Sequence, residues 1–268
     1  MQFLNVQSPW YQAAIYQDLR QLLPISAWQT WPDTEQMTAL LPQPTCNSHG
    51  KSIQFVCQST LDACPDGIYY EQRILESGAV PTRPAHWHDL FNALIWCLFP
   101  KAKSLINQQH CDDIAKYGQK KRTPRRNALT LFDECGVIIA VADDHLSQAL
   151  KQHEWEALFW QQRDAWGNTI RSFVFGHASY ESYLQPFIGL CGKALCLPVS
   201  ADFFTLPLLK QYQALDQQLS LALSADLLAD NRPLSPLPLL GVPGWWPANQ
   251  SREFYLDKNY FRPRPHRK

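Results

Sequence analysis

The feature that most constrains the fold is a short segment, residues 84–100, in which polar side chains interrupt the most apolar run of the chain. A proline stands at each end, and His88, Asp89 and Asn92 lie between them. A buried polar group without a hydrogen-bond partner costs about 1–3 kcal/mol. The segment therefore predicts a buried helix beginning at His88 or Asp89, with other parts of the chain supplying partners for its polar groups.

The composition allows a large core but gives no global charge. Hydrophobic residues make up 46% of the 268, and 24 basic side chains balance 24 acidic ones. Without a net charge there is no long-range field that attracts nucleic acid or membranes, so an electrostatic partner must be bound by a local patch. The longest apolar run, Ala93 to Phe99, is far shorter than the about 18 residues of a membrane-spanning helix, so no membrane association is expected.

The N-terminal sequence and the cysteines predict a cytoplasmic protein. Residues 1–23 lack a basic segment followed by an apolar one, as a secretory signal would have. The eight cysteines form no Cys-x-x-Cys pair. Since disulfides are rare in the cytosol, we interpret these cysteines as small core residues.

The hydrophobic patterns predict a single α+β domain over residues 1–268, with residues 1–44 forming a helical extension packed on it. The clearest strand pair is a central β-hairpin of Leu129–Phe132 and Val137–Val141, with a turn at residues 133–136. Its second strand is uniformly apolar and should lie at the centre of a small sheet covered by helices. A proline-rich C-terminal tail should wrap the surface. Further predicted elements are strands at Ser52–Gln58, Tyr69–Leu75 and Lys193–Val199, and helices at Lys103–Lys116, His177–Leu184 and Leu206–Leu228.

Four blocks of sequence carry a family resemblance. They are the Trp-His-Asp-Leu-Phe-Asn core of residues 84–100, Arg126–Glu134, Phe175–Ala178, and Gly241–Asn249 followed by Phe254-Tyr255. Together, over roughly residues 70–262, they resemble the bacterial family known as domain of unknown function 3025. No activity is established for that family, so the resemblance implies no mechanism, cofactor or site residue.

A group of histidines and aspartates is the first candidate site. His88 and Asn92, four residues apart, share one face of the predicted helix. Asp133 lies at the predicted turn and His177 follows a glycine, two positions that present a side chain to a cleft. Histidine with carboxylates suits acid–base catalysis or a divalent metal. The candidate catalytic residues are therefore His88, Asp89, Asp133 and His177, and the candidate metal ligands are His88, Asp89 and His177.

A structural interpretation of the same residues stands beside the catalytic one. Their spacing matches no standard metal motif. His88 and His177 would then be hydrogen-bonded core histidines, Asp89 a helix cap and Asp133 a turn residue.

The second candidate site is the segment 116–126, which has six basic residues and no acidic one. Such a segment suits nucleic acid or another phosphate-bearing ligand. Alternatively it is a solvated loop. The candidate anion-binding residues are Lys120, Lys121, Arg122, Arg125 and Arg126.

Paired tryptophans, Trp245 and Trp246, stand in a stiff segment with two glycines and two prolines. They could offer an aromatic platform to a base or a sugar. We favour the other interpretation, in which they fix the tail to the core.

Two functions from different classes follow from these features. The residues favour a non-catalytic binding or scaffolding protein with an anion- or nucleic-acid-binding basic loop. The alternative is a metal-assisted phosphodiester or phosphate-ester hydrolase, with a divalent metal as cofactor. The alternative requires His88, Asp89, Asp133 and His177 to converge in an open cavity, whereas a scaffolding role does not. The sequence does not specify an oligomeric state.

Overall fold

The computed structural model describes residues 9–63 and 65–265, which form an α+β fold as predicted. Within these residues the α-helices are α1 (Pro9–Gln12), α2 (Gln17–Leu22), α3 (Thr34–Ala39), α4 (Gln58–Ala63), α5 (Tyr70–Ser77), α6 (Trp87–Leu98), α7 (Pro100–Tyr117), α8 (Pro124–Cys135), α9 (Asp144–Gln152), α10 (His177–Ser182) and α11 (Leu208–Ser224). The strands are β1 (Gln54–Cys57), β2 (Ala79–Thr82), β3 (Gly136–Val141), β4 (Ile170–Val174), β5 (Cys191–Pro198) and β6 (Ser235–Pro238). A π-helical segment spans Ala157–Gln161, and short 3₁₀ segments span Ala14–Tyr16, Ile25–Ala27, Arg163–Ala165, Ala201–Thr205, Leu239–Gly241, Pro247–Gln250 and Arg252–Leu256.

The strands form two sheets. β1 and β2 pair in parallel, and the larger sheet has the order β4-β3-β5-β6. In it β3 is antiparallel to β4 and parallel to β5, and β5 is antiparallel to β6. All six residues of β3 are buried: β4 and β5 pair along its two edges, and α8 and α9 pack against it. The prediction of a central, fully covered strand from its apolar sequence is confirmed.

The predicted hairpin is wrong in its first half, because Leu129–Phe132 belongs to α8. Thr123 caps this helix by accepting a hydrogen bond from the Arg126 N–H, and Pro124 is its first residue. Both are standard signals for the start of a helix. A short apolar run fits a helix face as well as a strand, and the signals lying five residues upstream decide between them. Asp133 therefore lies on a helix and not at a turn.

The predicted strand Tyr69–Leu75 is also a helix, α5. It ends at Gly78, which has a φ of 78° and donates its N–H to the Ile74 carbonyl. Glycine adopts this left-handed conformation without strain and is common just after a helix. The strand that pairs with β1 is β2.

The two ends of the described chain pack on one core. Tyr16 of the N-terminal segment is fully buried and donates its hydroxyl to the Tyr180 carbonyl. In the tail, Trp245 and Trp246 pack partly buried against the core, and the buried Asn249 donates to two backbone carbonyls. The tryptophans therefore hold the tail in place, as favoured from the sequence.

The interpretation of the cysteines as core residues holds for only part of them. Cys97 and Cys111 are buried, whereas Cys46 and Cys191 are exposed, and every described cysteine is free. Cys64 lies outside the described residues. No helix in the described ranges is long and apolar enough to cross a membrane.

Candidate metal centre

Three helices bring His88, Glu134 and His177 together. His88 lies in the first turn of α6, Glu134 in the last turn of α8, and His177 is the first residue of α10. The antiparallel pairing of Val137 with Val174 places the end of α8 beside the start of α10, because each of these valines stands three residues from a site residue.

Aromatic packing brings α6 to the same point. The Phe91 and Tyr180 rings stack with their centroids 5.4 Å apart. Phe91 lies three residues after His88, and Tyr180 lies three residues after His177. Each ring therefore stands about one helical turn from its histidine, so the stacking of the two rings sets the distance between His88 and His177.

Gly176 lets the two backbones that carry Glu134 and His177 touch. Its N–H donates to the Gly136 carbonyl at 2.7 Å. A Cβ atom at this position would lie 2.4–2.5 Å from backbone atoms of Glu134, Cys135 and Gly136, which cannot move aside as a side chain would. Only glycine fits here, so backbone packing determines how far His177 stands from Glu134.

The facing atoms of the three side chains form a small triangle. The Nε2 atoms of His88 and His177 are 3.2 Å apart, and they lie 3.3 and 3.5 Å from Glu134 Oε2. Atoms that bind one tetrahedral ion at about 2.1 Å lie about 3.4 Å from each other. The three atoms therefore already have the spacing of one face of a metal coordination shell.

Each histidine has a carboxylate near its other ring nitrogen. His88 Nδ1 is 3.2 Å from Asp89 Oδ1, and His177 Nδ1 is 3.9 Å from Asp133 Oδ2. Carboxylates in this position orient metal-bound imidazoles and leave Nε2 free to bind the ion. The arrangement thus has an inner group of possible ligands and an outer group of carboxylates, of which Asp89 is within hydrogen-bond distance of its histidine and Asp133 is not.

The geometry corrects the predicted roles of Asp89. Asp89 is not a metal ligand of the triangle, because its carboxylate accepts hydrogen bonds from the Arg83 N–H at 2.7 Å and from Arg83 Nε at 2.9 Å. It is not the N-cap of α6 either, since His86 occupies that position. Asp133 likewise stands behind His177 rather than in the triangle.

Glu134, which the sequence analysis missed, supplies the third atom of the triangle. It was assigned to the turn of the predicted hairpin. On a helix, Thr130, Asp133 and Glu134 share one face, so a correct assignment of α8 would have placed both carboxylates with His177.

A buried lysine completes the outer group. Lys103 is 5% exposed, and its Nζ donates to Asp133 Oδ1 at 2.5 Å and to Asn92 Oδ1 at 2.9 Å. Although burial opposes ionisation of Asp133, the Lys103 charge lowers the pKa of that carboxyl below its usual value. His88, Asp89 and Asn92 of the central helix therefore do find partners, as predicted from the sequence.

A proton can hold the same three atoms together. Hydrogen bonds to Asp89 and Glu134 raise the pKa of His88 to about 9, whereas burial lowers the pKa of His177 to about 4. A protonated His88 therefore directs its Nε2–H towards the neutral His177 and the ionised Glu134. A metal ion at this point would replace that proton.

The triangle opens into a cavity of about 440 Å³. The side chain of Glu134 is 37% exposed and that of His88 is 28% exposed, so solvent reaches both. Arg83 stands at the rim with its side chain 50% exposed. The other cavity-lining residues are mostly polar and include Gln58, Tyr70, Glu71, Asn92, His110 and Thr130.

One residue of this cavity should make stability depend on pH. Burial raises the pKa of Glu71 from 4.5 to about 7. The folded state then binds the Glu71 proton more tightly than the unfolded state, so the contribution of Glu71 to stability falls as the pH rises from about 4.5 to about 7 and changes no further above that, a loss of about 3 kcal/mol. In Glu71→Gln this loss should vanish, because glutamine does not ionise and still accepts the hydrogen bond from Asn107.

Urea unfolding at a series of pH values measures this effect as the difference in free energy between Glu71→Gln and wild type. Glu76→Gln is the control, since Glu76 is exposed on the same helix. Equal pH profiles for Glu71→Gln and Glu76→Gln would contradict the prediction.

In the folded chain, some basic residues of segment 116–126 are buried or paired, and others are exposed. Arg126 is 1% exposed and donates to the carbonyls of Gln119 and Lys121, so it is a structural residue and not an anion-binding one. Arg125 pairs with Asp113 and Asp226, which also removes it from the predicted anion-binding set. The remaining three, Lys120, Lys121 and Arg122, are exposed and have no acidic partner within ion-pair distance among the described residues.

Comparison with known proteins gives a family but no activity. Residues 53–265 match the model of a family described as "Protein of unknown function (DUF3025)". This confirms the resemblance found in the sequence and extends it to residue 53. No curated protein and no solved structure matches the chain.

Proposed function

This chain belongs to the DUF3025 family, and we propose that it is a divalent-metal-dependent hydrolase of phosphate esters. The observation that carries the proposal is the triangle of His88, Glu134 and His177, with sides of 3.2–3.5 Å. Three donors from three separate helices meet at one point on the wall of an open cavity, and a carboxylate lies near the outer nitrogen of each imidazole.

Two imidazoles and one carboxylate are a ligand set of catalytic zinc sites, which keep a position open for water or substrate. An ion held there supplies Lewis acidity and lowers the pKa of a water molecule to about 7. The protein's own groups would do the rest. Asp89 orients the His88 imidazole, and Glu71 accepts a proton within the cavity. Arg83, whose Nε and Nη2 are held by Asp89, has its Nη1 left for an anionic group of the substrate at the rim.

The cavity lining favours hydrolysis over two other roles. The same ligand set also holds Fe(II) in oxygenases. Here Arg83, Glu71 and Asp133 line the cavity, and these charged side chains suit water and a charged substrate better than an apolar one. The exposure of Glu134 and His88 argues against a sealed polar network of purely structural purpose, which a non-catalytic scaffold would contain.

Metal titration with an activity assay tests the proposal. Protein treated with a chelator and then dialysed should bind one Zn²⁺ or Mn²⁺ ion per chain in isothermal titration calorimetry. The loaded protein should hydrolyse bis(p-nitrophenyl) phosphate or p-nitrophenyl phosphate, and the chelator should abolish the activity until the ion is restored. Failure to bind Zn²⁺, Mn²⁺, Co²⁺ or Fe²⁺ stoichiometrically would refute the metal centre. Stoichiometric binding without hydrolysis of either ester would refute the hydrolase assignment alone.

A further inference from the structure

Arg122 connects the basic segment to the metal cavity. Its Nη2 donates to Thr130 Oγ1 at 2.9 Å and its Nε to Asn127 Oδ1 at 3.2 Å. Thr130 lines the cavity that contains the metal centre. These two hydrogen bonds fix the guanidinium on the face of α8 that also carries Glu134.

Arg122 also lines a second cavity, of about 470 Å³. We call it the basic groove, and its lining residues are Asp113, Lys116, Tyr117, Lys121, Arg122, Thr123, Pro124, Arg125, Asp226 and Ala229. Its lining has four basic side chains against two acidic ones. Arg125 pairs with both of these aspartates, so Lys116, Lys121 and Arg122 remain available to an anion.

An aromatic ring lies in the same groove. Tyr117 is 42% exposed, and the ammonium groups of Lys116 and Lys121 lie 5.1 and 5.3 Å from the centre of its ring. Positive charge combined with an exposed aromatic ring is how proteins bind single-stranded nucleic acid, since the cations bind phosphates and the ring stacks on a base.

We propose that the substrate of the metal centre is single-stranded nucleic acid, whose backbone runs from the cavity along α8 into the basic groove. This inference rests on the proposed hydrolase function. Thr130 and Glu134 are separated by about 6 Å along the helix, so Arg122 stands where a phosphate neighbouring the scissile one would lie. A phosphate monoester has no such second phosphate, and the exposed ring of Tyr117 can stack only on a base that is not paired in a duplex.

The reaction is a hydrolysis that needs only water. A water oxygen forms a bond to phosphorus, one P–O ester bond breaks, and the leaving oxygen takes up a proton. One strand then carries a terminal phosphate and the other a hydroxyl group.

Binding without turnover tests the inference separately from the hydrolase activity. The anisotropy of a fluorescein-labelled single-stranded oligodeoxynucleotide is measured in chelator at several salt concentrations. Arg122→Gln should lower the affinity about tenfold, and the slope of log affinity against log salt should fall by about 0.7, as expected for one lost phosphate contact on a single strand. With metal present, the ratio of kcat/KM for the oligonucleotide to that for bis(p-nitrophenyl) phosphate should fall by a similar factor.

Lys210→Gln is the matched control, because Lys210 is exposed on α11 and donates only to Gln213. It should bind the oligonucleotide as the wild type does. Equal affinities for wild type and Arg122→Gln, with metal-dependent hydrolysis of the small esters intact, would overturn this inference and leave the proposed function standing. Tighter binding of a duplex than of the single strand would overturn it as well. If Arg122 governs oligonucleotide binding but no ester is hydrolysed, the hydrolase proposal fails, and with it the assignment of the strand as a substrate.

Discussion

Replacing His177 by alanine should lower the affinity of the protein for Zn²⁺ at least about 100-fold, because loss of an outer partner alone typically costs 10–100-fold. The variant removes one of three donors, and the remaining two, His88 and Glu134, lie on different helices. Competition with a chromophoric chelator measures the affinity of each protein.

His86→Ala is the control for this substitution. His86 lies only two residues before His88, yet it is not part of the triangle and stands 3.5 Å from Asp89. Its loss should leave metal affinity unchanged. Near-ultraviolet circular dichroism shows whether His177→Ala remains folded, and a folded His177→Ala protein that binds Zn²⁺ like the wild type would refute the metal centre.

Asp89→Asn should give an intermediate result in the same experiment, with affinity about 10–100-fold lower. Asparagine still occupies the position between Arg83 and His88, but it no longer carries the charge that orients the imidazole. A loss as large as that of His177→Ala would instead identify Asp89 as a direct ligand, as predicted from the sequence alone.

Lys103→Met should destabilise the protein by about 3 kcal/mol, since removing one partner of a buried ion pair leaves the other charge uncompensated. Asp133 and Asn92 would both lose their donor. For a chain of this size the change corresponds to a fall in Tm of about 6–12 °C. Thermal unfolding followed by circular dichroism in the presence of chelator measures it without a contribution from metal.

Two further variants separate the charge from the volume of the lysine. Lys101→Met makes the same change at an exposed position of α7, whose Nζ donates only to Gln217, and should cost little. The double variant Lys103→Met/Asp133→Asn should recover part of the lost stability, because it removes the uncompensated carboxylate. Equal Tm values for Lys103→Met and Lys101→Met would show that the buried ion pair contributes nothing.

The sequence predicted the fold class and much of the site for a physical reason. Polar side chains in an apolar helix must have partners, so His88 and Asn92 implied that polar groups elsewhere would converge on them. His177 and Asp133 do so. The central position of β3 followed in the same way from its uniform apolar character.

The prediction that was wrong concerned the local structure of residues 129–136. The four residues Leu129–Phe132 are too few to show a helical or strand period, so the N-cap at Thr123 and the proline at 124 decide that they belong to a helix. With residues 133–136 assigned to a turn, the sequence pointed to Asp89 and not to Glu134 as the third candidate ligand beside the two histidines. The burial of Arg126 could not be read from composition either, because it depends on where the loop carbonyls of Gln119 and Lys121 fold back.

The two carboxylates at the end of α8 would link metal binding to the stability of the fold. Asp133 and Glu134 occupy the last turn of this helix, where the aligned peptide dipoles already place partial negative charge. Lys103 offsets one carboxylate, and the second is offset by the protonated His88 or by a cation bound at the triangle. If the triangle binds a metal as proposed, its occupancy and the folding of the chain are linked, and the metal-loaded chain unfolds less often. Since cells degrade chains that unfold, metal starvation would lower the abundance of this protein and not only its activity.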